Sequence, residues 1–208
     1  MKVNNIYCGD ALDLIQELDK KPNLIIMSPP DLAETNYSLK EYKNFLSKIY
    51  GHAVEKLAKN GVIVSITTDR KMKGKIYTKH MDIINSVNLD LFNYKIWVKS
   101  LKANLFILTY CHMLFFRKKT CKNNKLTEFF PDVWVLESDK VDWYPSKDSF
   151  PTELVRRIVL NFTDKDDLVL DPFMGSGKTA RVCHDNNRNY IGFDLNPNFV
   201  KLATQSLS

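Results

Sequence analysis

Several signatures are missing from this sequence, and each absence removes a class of protein. No two of the cysteines Cys8, Cys111, Cys121 and Cys183 stand at C-x-x-C spacing, and no cysteine–histidine pair stands at zinc-ligand spacing. A zinc ribbon and a dithiol redox motif are therefore not indicated, no metal is expected, and the thiols read as free in a reducing compartment. No run of about 18 apolar residues could cross a bilayer, and the start of the chain lacks the apolar centre of a secretion signal. The expectation is a soluble intracellular protein, in the cytoplasm or nucleoid, or inside a host cell if the source is viral. There is no internal repeat and no low-complexity tract. The charged fraction of 26% is ordinary, which argues against wholesale disorder.

What is present suits one compact domain spanning residues 1–208, because 44% of the chain is hydrophobic and the length leaves no room for a second large domain. The formal net charge is +6 and the pI about 9.0, a balance that favours a polyanionic partner once a basic face is shown.

Short apolar runs alternate with helical periodicity. Residues 6–8, 23–27, 61–66, 167–171 and 190–194 read as strands, the last two ending in Asp171 and Asp194. Helices are expected over 11–18, 39–57, 151–162, 178–186 and 197–207, with Asn196 as N-cap of the last. Strands alternating with helices predict a doubly wound, mostly parallel α/β sheet. Between Thr67 and Val141 the pattern changes. Residues 94–99 and 112–116 read as an antiparallel strand pair, and residues 69–75 as a basic flexible segment.

The segment Asp171-Pro-Phe-Met-Gly-Ser-Gly177 is a strand end followed by a tight glycine turn, which lets the backbone approach a ligand at the carboxyl edge of a sheet. Asp194 ends a second strand nearby, and a carboxylate there can accept both hydroxyls of a ribose. A nucleoside cofactor fits this pattern. Two lookalikes fail. A P-loop needs G-x-x-x-x-G-K-S/T, and Pro172 stands where its first glycine belongs. The dinucleotide pattern G-x-G-x-x-G lacks its third glycine.

Ser28-Pro-Pro-Asp31 follows another apolar strand. Two consecutive prolines fix φ and remove two N–H donors. A rigid edge of carbonyl oxygens and the Ser28 hydroxyl remains, able to accept hydrogen bonds from an amino group and to aim its lone pair. The residues alone leave open a plain turn without function.

In their order, these motifs resemble the amino-methyltransferases of DNA in the permuted β-class arrangement. That family carries S/D/N-P-P-aromatic first, then F-P-x-x-L, then D-P-F-x-G-S-G. Here stand Ser28-Pro-Pro, Phe150-Pro-Thr-Glu-Leu154 and Asp171-Pro-Phe-Met-Gly-Ser-Gly177, with Gly9-Asp10 upstream. The likeness runs from Asn4 to Ala203. It implies a Rossmann-like methyltransferase fold, S-adenosylmethionine as cofactor, double-stranded DNA as partner, and a setting of restriction and modification. Asp171, Pro172, Phe173, Gly175, Ser176 and Gly177 would wrap the methionine part of the cofactor. Asp194, with Asn196 beside it, would bind the ribose, Asp10 would lie near the adenine, and Phe150 and Pro151 would pack against the cofactor. Ser28, Pro29, Pro30 and Asp31 would form the catalytic turn, with no metal involved.

The fit has departures. The family places an aromatic after the second proline to stack on a flipped base, and this chain has Asp31. Tyr37 or Trp97 is the substitute on offer, or Asp31 bonds the base, or activity is weakened or lost. Lys178 replaces the threonine after the glycine turn and could meet a phosphate. Serine at the first position favours cytosine N4 over adenine N6. Arg70, Lys71, Lys73 and Lys75 are the candidate phosphate contacts, with Arg117, Lys118, Lys119 and Lys122 as a second basic run. Residues 101–142 are the place for a short target-recognition region, short enough that a homodimer could share the DNA contacts. His80, His112, Phe115 and Phe116 read as structural.

Overall fold

The structure, a computed structural model, describes residues 1–72, 74–100, 108–118, 131–137 and 150–207. In chain order its elements are β1 (Asn5–Cys8), α1 (Ala11–Leu14), β2 (Leu24–Met27), α2 (Leu39–Lys56), β3 (Val62–Thr67), β4 (Arg70–Met72), β5 (Lys75–Tyr77), α3 (Lys79–Ser86), β6 (Asp90–Val98), β7 (Tyr110–Arg117), β8 (Val133–Val135), α4 (Thr152–Phe162), β9 (Leu168–Asp171), α5 (Lys178–Asp185), β10 (Asn189–Asp194) and α6 (Pro197–Gln205). Eight strands form one sheet in the order β1-β10-β9-β2-β3-β7-β6-β8.

The sheet is parallel from β1 to β3, and β6 pairs with β8 in parallel. Only β7 runs the other way, antiparallel to both β3 and β6. The expected doubly wound sheet with an antiparallel pair is therefore present, and one reversed strand accounts for the pair. Strand residues alternate between two cores, as a pleat of period two requires. Leu24, Ile26, Val62, Val64 and Val169 face α4, α5 and α6, while Ile25, Met27, Ile63 and Leu170 face α1, α2 and α3. Burial on both faces explains why these strands read as unbroken apolar runs.

Several elements differ from the sequence expectation, α3 among them, which no sequence pattern announced. α1 stops at Leu14, because Gln16, Glu17 and Leu18 bond back three residues and tighten the chain, while Ile15 and Leu18 stay buried. The basic segment after β3 is an antiparallel hairpin, β4–β5, with Gly74 at φ 76° in its turn. Its side chains are mostly exposed, so no apolar alternation marked it in the sequence. Within the stretch proposed for target recognition, residues 110–117 and 133–135 are sheet strands, and residues 101–107, 119–130 and 138–142 lie outside the described residues.

Chain direction across the sheet reverses between β9 and β2. From β9 the chain steps through α5 to β10 on one side, and from β2 through α2 to β3 on the other. Ligands of such sheets sit outside the carboxyl ends of the strands at this switch point.

Candidate active site at the sheet switch point

β2 delivers Ser28-Pro-Pro-Asp31 and β9 delivers the Asp171–Gly177 turn to the same rim. Both line one cleft of about 680 Å³, a size typical of sites for small organic ligands. Ser28, Pro29, Pro30, Asp31, Phe150, Asp171, Phe173, Gly175 and Ser176 face this cleft. Pro172, Gly177, Pro151, Asp10, Asp194 and Asn196 are not on its lining, and they shape the turns behind it.

The glycine turn depends on backbone that side chains resist. Gly175 has φ 52° and Gly177 φ 78°. A Cβ at Gly177 would lie 2.6 Å from that of Ala203 in α6. The Asp194 carboxylate accepts the N–H groups of Gly175 and Asn196, each at 2.8 Å. A carboxylate has about four acceptor sites, so two remain for a diol. Asn196 caps α6 by accepting the Asn198 N–H at 3.0 Å. Asp10 caps α1 through the Leu12 N–H at 2.8 Å and sits beyond β1, the strand paired with β10.

Asp171 has an internal role. Its carboxylate accepts the Thr179 hydroxyl at 2.6 Å and the Phe173 N–H at 3.1 Å, tying the strand end to α5. Burial, opposed by these two bonds, pushes its pKa up to about 6. Lys178 is buried and donates to the Phe150 carbonyl at 2.5 Å, so it clamps the Phe-Pro segment to the glycine turn instead of reaching for a phosphate. The Phe150 ring stands edge-on to Trp97, 5.8 Å between centroids.

The double-proline turn is held from behind. Lys79, buried at the start of α3, donates to the Pro29 carbonyl at 2.7 Å, the Pro30 carbonyl at 3.3 Å and Asp31 Oδ1 at 2.9 Å. The Tyr42 hydroxyl donates to the Pro30 carbonyl at 2.6 Å. The edge of acceptors expected from the sequence is thus partly used, and Pro29 keeps one lone pair for a ligand. Among the described residues the Ser28 hydroxyl makes no hydrogen bond, and it lines the cleft.

Asp31 is almost wholly buried between two cations, Lys79 and Arg70, whose Nε lies 2.5 Å from Asp31 Oδ2 and whose Nη2 also contacts that oxygen. Burial pushes the Asp31 carboxyl up, but the two cations outweigh it and hold it below the usual carboxylate range. Burial lowers the Lys79 ammonium below its ordinary value against the pull of Asp31. Of the two substitute aromatics, Trp97 lines the cleft and Tyr37 does not.

The basic run does not make one face. Arg70 is engaged by Asp31, and Lys71 and Lys75 point to opposite sides of the hairpin, since Lys75 is paired with Met72. Lys73, Lys119 and Lys122 lie outside the described residues. His80 and His112, read as structural, meet at Asp69 on the cleft wall. The sequence also gave no sign of Lys79, which stands 50 positions from Pro29.

The family model described as DNA methylase matches residues 23–205. Type II methyltransferase M.BglII of Bacillus subtilis is 26% identical over 99% of this chain and 69% of its own length. Type II methyltransferase M.XycI of Xanthomonas campestris pv. cyanopsidis is 49% identical over 59 residues, which are 28% of this chain and 20% of that protein. The chain thus matches about a fifth of that relative's length. Among solved structures, the cytosine-N4-specific PvuII DNA methyltransferase superposes with TM-score 0.84 at 19% identity, covering 96% of this chain and 84% of the other. TTHA0409 of Thermus thermophilus, solved in complex with S-adenosyl-L-methionine, superposes with TM-score 0.78 at 23% identity, covering 98% and 94%. With a family match over most of its length, the chain belongs to the N6/N4 DNA methylase family.

Proposed function

We propose that this chain transfers a methyl group from S-adenosylmethionine to the exocyclic amino nitrogen of a base in double-stranded DNA, with cytosine N4 favoured over adenine N6. The observation that carries the reading is the shared cleft, in which the Ser28-Pro-Pro turn and the glycine turn face one space. The cytosine-N4 specificity of the PvuII enzyme supports the finer choice, as does serine at the head of the turn.

The residues fit the cofactor. Gly175 brings bare left-handed backbone to the cleft, and Asp194 keeps acceptor sites beside it. Asp171, Pro172, Phe173, Gly175, Ser176 and Gly177 would cradle the amino-acid end, Asp194 and Asn196 the ribose, and Asp10, Phe150 and Pro151 the remainder. When bound there, S-adenosylmethionine supplies a methyl group on a positively charged sulfur. The chain's own contribution is positioning. Ser28 and the remaining Pro29 lone pair accept the two amino hydrogens and so aim the nitrogen lone pair. A base must leave the duplex stack to reach them. Trp97 offers the ring surface that Asp31 lacks, and Asp31 serves by fixing Lys79 against the turn. Lys71, on the cleft lining, meets phosphates, with a second copy of the chain sharing the DNA.

Expression of the chain in cells, digestion of their DNA to nucleosides and identification by mass tests this reading. N4-methylcytosine is expected. N6-methyladenine moves the target to adenine. Cofactor binding by calorimetry with no methylated nucleoside overturns the enzyme in favour of a binding module.

A further inference from the structure

A second polar cluster lies on the cleft wall beyond the double-proline turn. Asp69, just after β3, is buried and faces the cleft. Both its oxygens lie 2.8 Å from Nδ1 of His80, the second residue of α3. Nε2 of His112, near the start of β7, lies 3.4 Å from Asp69 Oδ2. The three ligand atoms are all within 4.8 Å of one another.

Hydrogen bonding does not account for His112. Its Nδ1 shares a 2.5 Å bond with the Tyr94 hydroxyl, while its Nε2 is buried with no hydrogen-bond partner among the described residues. If Nδ1 carries the proton, the Nε2 lone pair lies 3.4 Å from a carboxylate oxygen with no donor between them. If Nε2 carries it, a buried N–H is left unspent. Either state is unfavourable without a compensating group. Thr67, directly opposite His112 on β3, buries a hydroxyl that also has no partner among the described residues.

Two imidazole nitrogens and a carboxylate are the donor set of zinc-like ions with a position left for water. The 3.4 Å between His112 Nε2 and Asp69 Oδ2 matches the edge of a tetrahedron with bonds of about 2.1 Å. Tyr94 holds the far nitrogen of His112, as partners of metal-bound histidines do. We propose that Asp69, His80 and His112 bind a divalent transition ion of the zinc class. The ion pins the end of β3, the start of α3 and the start of β7 together at the cleft wall. The two rings are stacked with centroids 4.0 Å apart, so ligation turns them out of the stack. Ligation replaces the hydrogen bond between His80 Nδ1 and Asp69, and the ring proton of neutral His80 moves to Nε2. This site stands independently of methyl transfer.

The full chain, stripped with chelator, is titrated with Co(II) as an optical probe. We expect visible d–d bands of a low-coordinate complex saturating at one equivalent, displaced by Zn(II), with a melting temperature that rises with metal. His80→Ala and His112→Ala, checked for folding by circular dichroism, should each weaken Co(II) binding by at least about tenfold. His184→Ala, at an exposed position of α5, should leave it unchanged. Absence of the bands, or bands that survive in both folded variants, overturns the proposal.

Discussion

Lys79 Nζ lies 2.7 Å from the Pro29 carbonyl oxygen, so a buried ammonium holds the turn that carries the proposed chemistry. The same nitrogen is 2.9 Å from Asp31, which stands where the resemblance in the sequence implies an aromatic. Asp31 is thereby a brace for the turn, and its carboxylate offers the cleft little surface.

Removing one member of a buried pair strands the other, at about 3–5 kcal/mol. Asp31→Asn should lose stability on that scale in urea unfolding, and Lys79→Met added to it should restore part of the loss. The folded pKa of Asp31 lies below its ordinary 3.8, so its stabilisation is present above that value and lost as pH falls through the lowered one. Below about pH 4 the wild type should therefore lose stability more steeply than Asp31→Asn.

The two halves of the cleft should separate in a binding experiment. Asp194→Ala removes a charged acceptor, and cofactor affinity by calorimetry should fall about 100-fold, since bonds to charged groups contribute about 1.5–3 kcal/mol each. Ser28→Ala should lower turnover about tenfold with cofactor affinity kept. Normal affinity and normal turnover in both would refute the site map.

Gly177→Ala should destabilise by about 1–3 kcal/mol, because the new Cβ meets Ala203 and φ is 78°. Gly192→Ala should cost less, since its Cβ would run into the flexible end of the Met174 side chain, which can shift, and φ there is ordinary. Thermal unfolding with and without cofactor reads both.

Asp171 titrates at about 6, above its ordinary 3.8, so the folded state holds the proton more tightly. Stability should decline as pH rises from about 4 to about 6 and stay lower above, a contribution on the order of 3 kcal/mol. In Asp171→Asn that slope should be absent from denaturation curves measured across the same range.

The parallel sheet was legible because β2, β3 and β9 are buried on both faces, and their apolar runs end directly in Ser28, Thr67 and Asp171. The glycine turn and Asp194 were legible for the same reason, being fixed to strand ends. The β4–β5 hairpin was not, since Arg70, Lys71 and Lys75 are exposed and leave no periodic trace. α3 was missed as well, because only Lys79 and Ile83 of its residues are buried. The hold of Lys79 on Pro29 and the meeting of His80 with His112 arise from folding across long separations, which spacing within the sequence cannot express. Lys178, read as able to meet a phosphate, has the Phe150 carbonyl as its partner, 28 positions away, which spacing does not reveal either.

The strand that ends at Ser28 and the strand that ends at Asp171 are neighbours, and Asn23 bonds to Leu168 across 145 positions. No local fragment can therefore prefigure the cleft, and closing so long a loop places its assembly late in folding. A nascent chain still on the ribosome holds the double-proline turn with nothing opposite it. The cleft then forms all at once, only after β9 and β10 have emerged.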